Sequence, residues 1–217
     1  MRFVELSHRI RDGLVTYPGL PPPVISDHLS RAASRSHYAP GTEFHIARID
    51  MVANTGTYLD APSHRFETMA DIGDLPLARI AGLEGVVVAV PAAARAIGPE
   101  VLSTVDVRDK AVLFHTGWDR YFGTPAYGEG HPFLTRSTAD ALRDRGAVLV
   151  GIDSLNVDDT SDGARPAHTV LLGAGICVVE HLTNVSALPA TGFRFFAVPP
   201  PFSGVGSFPV RAFAVVP

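Results

Sequence analysis

Short apolar runs rich in β-branched and aromatic residues recur along the whole chain, separated by polar connections. Runs of this length and composition predict β-strands. Eight segments are predicted as strands, at residues 3–6, 46–52, 86–90, 111–115, 148–152, 176–179, 193–198 and 210–216.

Only two segments between these runs have a helical pattern. Residues 135–146 open on a hydroxyl residue, continue with good helix formers and stop at a glycine. A second, shorter helix is predicted over 165–173, with Pro166 in its first turn and His168 near its positive end. Many strands and few helices predict a β-rich α/β fold.

Length and composition indicate a globular protein. The chain has 217 residues, of which 46% are hydrophobic and 18% charged, with 18 prolines and 20 glycines that favour many shaped loops. No internal repeat or linker divides it, so we expect a single domain over residues 1–217. The one cysteine, Cys177, lies in an apolar run, which excludes a disulfide within the chain and favours a buried inert thiol.

Charge and targeting patterns narrow the possible partners. The net charge is -4 with no long run of either sign, so we expect a small-molecule substrate and no nucleic acid or membrane partner. No apolar segment of signal or membrane-spanning length is present, which predicts a cytoplasmic protein. The glycine-rich patterns of dinucleotide and nucleotide enzymes and the Gly-x-Ser-x-Gly pattern of esterases are absent.

The most informative segment is 54–64, which reads Asn-Thr-Gly-Thr-Tyr-Leu-Asp-Ala-Pro-Ser-His. Pro62 is suited to begin a helical turn, so Asp60 and His64 can converge on one point. A carboxylate and an imidazole together form half of a zinc or manganese site, or an acid and base pair. A cap and a surface residue are the alternative interpretation of the same two residues.

This segment resembles the signature of the cyclase superfamily, His-x-Gly-Thr-His-x-Asp-x-Pro-x-His, which includes bacterial kynurenine formamidases and isatin hydrolases. Motifs along nearly the whole chain add to the resemblance: residues 5–8 and 17–19, Leu-Pro-Leu at 75–77, Thr-Gly-Trp at 116–118, Gly-Ile-Asp at 151–153, His168 with 171–172, 180–184 and 207–212. The resemblance implies a swivelling β/β/α fold with a mixed sheet, assembled as a homodimer or homotetramer. It also implies a metal-activated water that opens an amide, lactam or N-formyl bond of a small aromatic or cyclic substrate.

The resemblance also implies a set of metal ligands, of which part is changed here. The retained ligands are Asp60, His64, His168 and Glu180. Asn54 and Tyr58 occupy the positions of two ligating histidines, and neither an amide nor a neutral phenol binds zinc well. We therefore expect one divalent ion, zinc or manganese, held by the retained groups.

Two alternatives stay open at this point. In a metal-free pocket, His64 or His168 would be a general base and Tyr58 a hydrogen-bond donor, as in a cyclase or dehydratase. A pocket that binds a ligand without turning it over is the second. In the hydrolase, His64, His168 and Tyr58 are the predicted catalytic residues.

Position beside the family motifs predicts the pocket walls, and composition predicts the role of an acidic segment. Tyr17, Phe66 and Trp118 are the predicted substrate-binding residues. The carboxylates of 153–162 lack the glycine spacing of a calcium loop, so they are interpreted as solvated turn residues. Within that segment, Asp153 ends a strand and is a candidate for orienting a neighbouring side chain.

Overall fold

The computed structural model describes all residues from Met1 to Pro217. The strands are β1 (Arg2–Glu5), β2 (Val24–Leu29), β3 (Ile46–Asp50), β4 (Tyr58–Asp60), β5 (Ala81–Ala89), β6 (Ala96–Ile97), β7 (Ala111–His115), β8 (Phe133–Leu134), β9 (Leu149–Ile152), β10 (Cys177–Glu180), β11 (Phe193–Phe196), β12 (Ser207–Pro209) and β13 (Phe213–Val216). The helices are α1 (Arg31–Ser34), α2 (Arg136–Asp144) and α3 (Pro166–Gly173).

Nine of the strands form one mixed sheet in the order β1-β13-β11-β5-β7-β9-β10-β4-β12. Its centre, from β5 to β10, is parallel, and the strands on either side pair antiparallel. The chain thus has the swivelling β/β/α fold with a mixed sheet and few helices, as the sequence predicted.

Strand β7 shows how the sheet separates two hydrophobic cores. Ala111 and Leu113 face one cluster of twenty buried residues, and Val112 and Phe114 face another of the same size. The alternation follows from the two-residue repeat of a strand, and each fully buried Leu or Phe contributes about 1.5–3 kcal/mol. Helices α2 and α3 pack on the second cluster, through side chains such as Leu142 and Leu171. The candidate site lies on this helix-covered face.

Both predicted helices are present. The Thr135 hydroxyl accepts a hydrogen bond from the Thr138 N–H and so caps α2, as its position before the helix predicted. Helix α3 begins at Pro166, whose missing N–H costs nothing in a first turn. This places His168 in the first turn of α3, where it faces the sheet.

Five strands were not predicted: β2, β4, β6, β8 and β12. Four of them have only two or three residues, and β2 has polar residues at its centre, so no long apolar run marks any of the five. Strand β4 is the important miss, because residues 58–60 lie outside every predicted strand and form a buried strand with β10 on one side and β12 on the other. The turn before it contains Gly56 at a φ of 67°, which glycine adopts without strain.

The predicted strand 46–52 is shorter, Ile46–Asp50, and pairs only with β2. Every residue of β3 is exposed, and β2 is exposed over all but its last residue. Val24 and Ile49 are 55% and 58% exposed, so this two-stranded ribbon presents apolar side chains to solvent.

No helix of the protein combines the length and apolar character needed to cross a membrane.

Candidate active site

The register of β4 fixes the positions of the site residues. Tyr58 lies opposite Glu180 of β10, and Asp60 lies opposite Ser207 of β12. Because alternate residues of a strand share a face, Tyr58 and Asp60 point to the same side, while Leu59 packs into the opposite core. A short strand between two others thus brings distant parts of the chain to one point.

His64 reaches Asp60 through the turn that follows β4. Pro62–His64 forms a single 3-10 turn, and the His64 Nδ1 atom lies 3.9 Å from Asp60 Oδ1. The Ser207 hydroxyl links them: it donates to Asp60 Oδ1 and lies 2.7 Å from His64 Nδ1. Since the one hydroxyl proton goes to Asp60, His64 donates through Nδ1 and keeps its lone pair on Nε2.

His168 is oriented from behind by Asp158. The Asp158 carboxylate accepts hydrogen bonds from the His168 Nδ1–H at 2.7 Å and from the His168 and Ala167 backbone N–H groups at 3.0 and 2.6 Å. The His168 Nε2 atom then points at two further carboxylates, 3.5 Å from Asp60 Oδ2 and 3.6 Å from Glu180 Oε1. A carboxylate that holds the far nitrogen of a metal-binding histidine is a common arrangement.

Glu180 is fully buried and hydrogen-bonded on both oxygens. Its Oε2 accepts a 2.6 Å hydrogen bond from the Tyr58 hydroxyl and a longer one of 3.3 Å from the Asn156 amide. Its Oε1 accepts from the Val157 N–H at 2.7 Å. Burial raises the pKa of Glu180 to about 7, against the opposing effect of His168.

The charges of the site depend on one another. Burial alone would lower the pKa of His168, but the carboxylates of Glu180, Asp158 and Asp60 outweigh it and raise the pKa to about 10. Burial would likewise raise the pKa of Asp60, but hydrogen bonding and charge from the two histidines lower it. The position between His168 Nε2 and the carboxylates is therefore one where positive charge is strongly favoured.

Three side chains of the site suit a divalent cation. Asp60, His64 and His168 each offer a ligand atom, and these atoms all lie within 4.8 Å of one another. Asp60 Oδ2 is buried without a hydrogen-bond partner, which an ion at this point would supply. Two imidazoles and a carboxylate form a donor set typical of zinc that keeps an open position. Glu180, the fourth predicted ligand, adjoins this cluster without belonging to it.

A cavity of about 410 Å³ opens onto the cluster. Its wall includes Tyr17, Tyr58, His64, His168 and Glu180. The size lies in the range of pockets that bind small molecules. Of the three predicted substrate-binding residues, the structure brings Tyr17 to this pocket.

Phe66 and Trp118 are not among the residues that line this pocket, and their contact with substrate stays a prediction. Phe66 packs against the core beside α3, close to Gly173. Trp118 donates from Nε1 to the Tyr127 carbonyl at 3.0 Å and packs edge-on to Tyr121. Both are held in local packing that their position beside a motif does not reveal.

The sequence interpretation of the acidic residues in 153–162 as solvated turn residues is wrong for two of them. Asp158 is completely buried and orients His168. Asp153 is also buried and accepts hydrogen bonds from the Thr116 and Gly117 N–H groups at 2.7 and 2.9 Å, as its candidate orienting role implied. Asp158 and Ser207 are the site residues that the sequence interpretation missed. Asp158 lies only ten residues before His168 in the chain, and this short separation is the signal that could have identified it.

Asn54 and Tyr58 occupy the two changed ligand positions. Asn54 and Tyr58 both line the pocket. Burial and the neighbouring carboxylates hold the pKa of Tyr58 well above its ordinary value, so the phenol is neutral.

Cys177 is buried, and burial raises the pKa of its thiol to about 12, in agreement with the predicted inert role.

Comparison with known proteins decides the family. The family model described as "Putative cyclase" matches residues 4–159. The chain belongs to this cyclase family. A kynurenine formamidase of Salinibacter ruber (strain DSM 13855 / M31) is 31% identical to this chain over 215 residues, with 98% of this chain and 96% of the relative covered. A kynurenine formamidase of Geobacillus thermodenitrificans (strain NG80-2) is 27% identical over 212 residues, covering 97% and 95%.

Solved structures share the fold of this chain. Isatin hydrolase A from Labrenzia aggregata, bound to benzyl benzoate, superposes with a TM-score of 0.83 at 23% identity, covering 99% of this chain and 93% of the other. A structure described as a potential metal-dependent hydrolase with cyclase activity superposes with a TM-score of 0.80 at 23% identity, covering 98% and 96%. At this identity the likeness establishes the fold alone.

Proposed function

We propose that this cyclase-family protein is a metal-dependent hydrolase that opens an amide, lactam or N-formyl bond in a small aromatic or cyclic substrate. The observation that carries the proposal is the convergence of Asp60, His64 and His168 on one point beside the 410 Å³ pocket, of whose wall the two histidines form part. The names of the kynurenine formamidase relatives support the amide-type reaction.

The donor set suits zinc or manganese, held by Asp60, His64 and His168. Such an ion lowers the pKa of bound water toward about 7 and polarises a carbonyl. The chain orients its donors before any ion arrives: Asp158 fixes the His168 ring, and Ser207 fixes both Asp60 and His64. The supporting hydrogen bonds are made by the Nδ1 atoms of the two histidines. This preorganisation leaves the Nε2 lone pairs of His64 and His168 directed away from those bonds.

We assign proton transfer to Glu180, because its carboxylate lines the pocket beside His168 without belonging to the three-residue cluster. Glu180 takes a proton from the attacking water and returns it to the leaving nitrogen. Tyr58, predicted as a catalytic residue and hydrogen-bond donor, donates to Glu180. Its role in this proposal is to hold that carboxylate in place.

Hydrolysis assays test the proposal. N-formyl aromatic amines, lactams and cyclic imides are incubated with the zinc- or manganese-loaded protein, and product is followed by chromatography. Turnover of one of these classes, abolished in His168→Ala with the circular dichroism spectrum unchanged, is expected. No turnover in any class and with either metal, or an unchanged rate in His168→Ala, contradicts the proposal.

We also propose that the protein assembles as a homodimer or homotetramer. The support in this chain is the β2–β3 ribbon, whose exposed apolar side chains include Val24, Ile25, Ile46 and Ile49. Exposed apolar surface of this kind is typical of protein interfaces. Light scattering after size exclusion measures the assembly directly. The cytoplasmic location stays a prediction.

A further inference from the structure

Two arginines form part of the pocket wall. Arg65 and Arg165 line the same cavity as His64 and His168. Arg65 directly follows His64 in the chain, and Arg165 lies three residues before His168. The two guanidinium groups therefore belong to the segments that carry the histidines of the cluster.

Neither arginine is paired with a carboxylate. Arg65 donates from Nε to the Thr169 hydroxyl at 3.4 Å, and Arg165 donates from Nη1 to the Asp159 backbone carbonyl at 3.2 Å. The Asp159 carboxylate itself is paired with Arg95 at 3.2 Å. Both pocket arginines thus keep N–H donors that no carboxylate of the chain occupies.

The backbone of Arg165 gives independent evidence for a role of its side chain. Its φ and ψ are 46° and 60°, in the left-handed region that long side chains rarely adopt. Glycine would take this conformation without strain. Strain of this kind at a non-glycine residue is typical of ligand sites, where a function of the side chain offsets it.

We propose that Arg65 and Arg165 bind a carboxylate of the substrate, so that the enzyme prefers anionic amides to neutral ones. This rests on the proposed function only in taking the pocket as the place where the amide binds. The planar fork of an arginine matches a carboxylate through two parallel hydrogen bonds. Arg65 and Arg165 line the same pocket as His64 and His168, so a carboxylate held by the arginines leaves the amide beside the cluster.

Two substrates that differ by one ring carboxylate, N-formylanthranilate and formanilide, test the preference. Wild type is expected to have the higher kcat/KM for N-formylanthranilate, mainly through a lower KM. The double variant Arg65→Gln/Arg165→Gln is expected to lower the ratio of the two kcat/KM values about 10- to 100-fold. Arg136→Gln, on the exposed face of α2, is the matched control and keeps the wild-type ratio. An unchanged ratio in the double variant overturns the proposal.

Calorimetric titration with anthranilate separates this proposal from the proposed function, because binding requires no turnover. Anthranilate binding that weakens about tenfold or more in the double variant supports the arginine site even where neither amide is hydrolysed. No binding to wild type, or equal binding to both proteins, overturns it. Arg65→Gln alone, at an exposed side chain, keeps the test decisive if substitution at the strained Arg165 impairs folding.

Discussion

Tyr58 and Glu180 are cross-strand partners on β4 and β10, and the Tyr58 hydroxyl donates a 2.6 Å hydrogen bond to Glu180 Oε2. The resemblance to the cyclase superfamily places a metal-binding histidine at position 58. Here a neutral phenol stands in its place and binds a carboxylate instead of an ion. The substitution therefore changes a ligand position into a support for Glu180.

Tyr58→Phe is expected to lower the free energy of unfolding by about 1–3 kcal/mol. The variant leaves Glu180 Oε2 buried with only the weak 3.3 Å contact from Asn156. Urea unfolding followed by circular dichroism measures the change. Tyr121→Phe, which removes a hydroxyl bonded to Arg120 at a partly exposed position, is the control and is expected to change stability by less. Equal effects of the two substitutions would contradict the buried role of the Tyr58 hydroxyl.

Asp158→Asn is expected to weaken zinc binding about 10- to 100-fold, because the His168 ring loses the carboxylate that fixes its tautomer and increases its basicity. Competition with a chromogenic chelator measures the affinity. Asp162→Asn is the matched control, since Asp162 is exposed and accepts only from the Ala164 N–H in a turn. Unchanged zinc affinity in Asp158→Asn would show that His168 does not depend on this partner.

His8 gives a prediction for acid stability. Burial lowers its pKa from 6.5 to about 4, and Asp119 only partly opposes this. Below pH 6.5 the unfolded chain binds a proton that the folded protein does not, so stability falls as the pH decreases from 6.5 toward about 4. The side chain stacks on Phe122, and its Nε2 atom is buried without a partner.

His8→Gln is expected to remove this part of the pH dependence. Between pH 7 and pH 5 the wild type is expected to lose about 1–2 kcal/mol more stability than the variant. Urea unfolding at the two pH values measures the difference. Parallel losses in both proteins would mean that His8 titrates in the folded state as it does in the unfolded chain.

The sequence predicted the parts of the site that depend on local spacing. Pro62 predicted the turn that joins Asp60 to His64, and Pro166 predicted the helix that carries His168. Predicting that these two segments meet required the family resemblance, since no local pattern relates residue 60 to residue 168. Local reasoning was also enough to identify Cys177 as a buried thiol.

The remaining features depend on register across the sheet. Ser207 reaches Asp60 over 147 positions because β12 pairs with β4, and a strand of three residues is too short to have a hydrophobic pattern. Asp158 was misinterpreted because a carboxylate in a polar segment looks the same whether it faces solvent or a buried histidine. Phe66 and Trp118 lie outside the lining of the pocket, because proximity to a motif does not determine the direction of a side chain.

The most direct test of the metal-dependent account is elemental analysis of the protein purified without chelator and then loaded with zinc or manganese. We expect about one ion per chain in wild type and in Arg136→Gln, and a strong loss in Asp60→Ala and His168→Ala, with all four proteins folded by circular dichroism. No bound ion in wild type after loading, or equal metal content in all four proteins, would contradict a metal site at Asp60, His64 and His168.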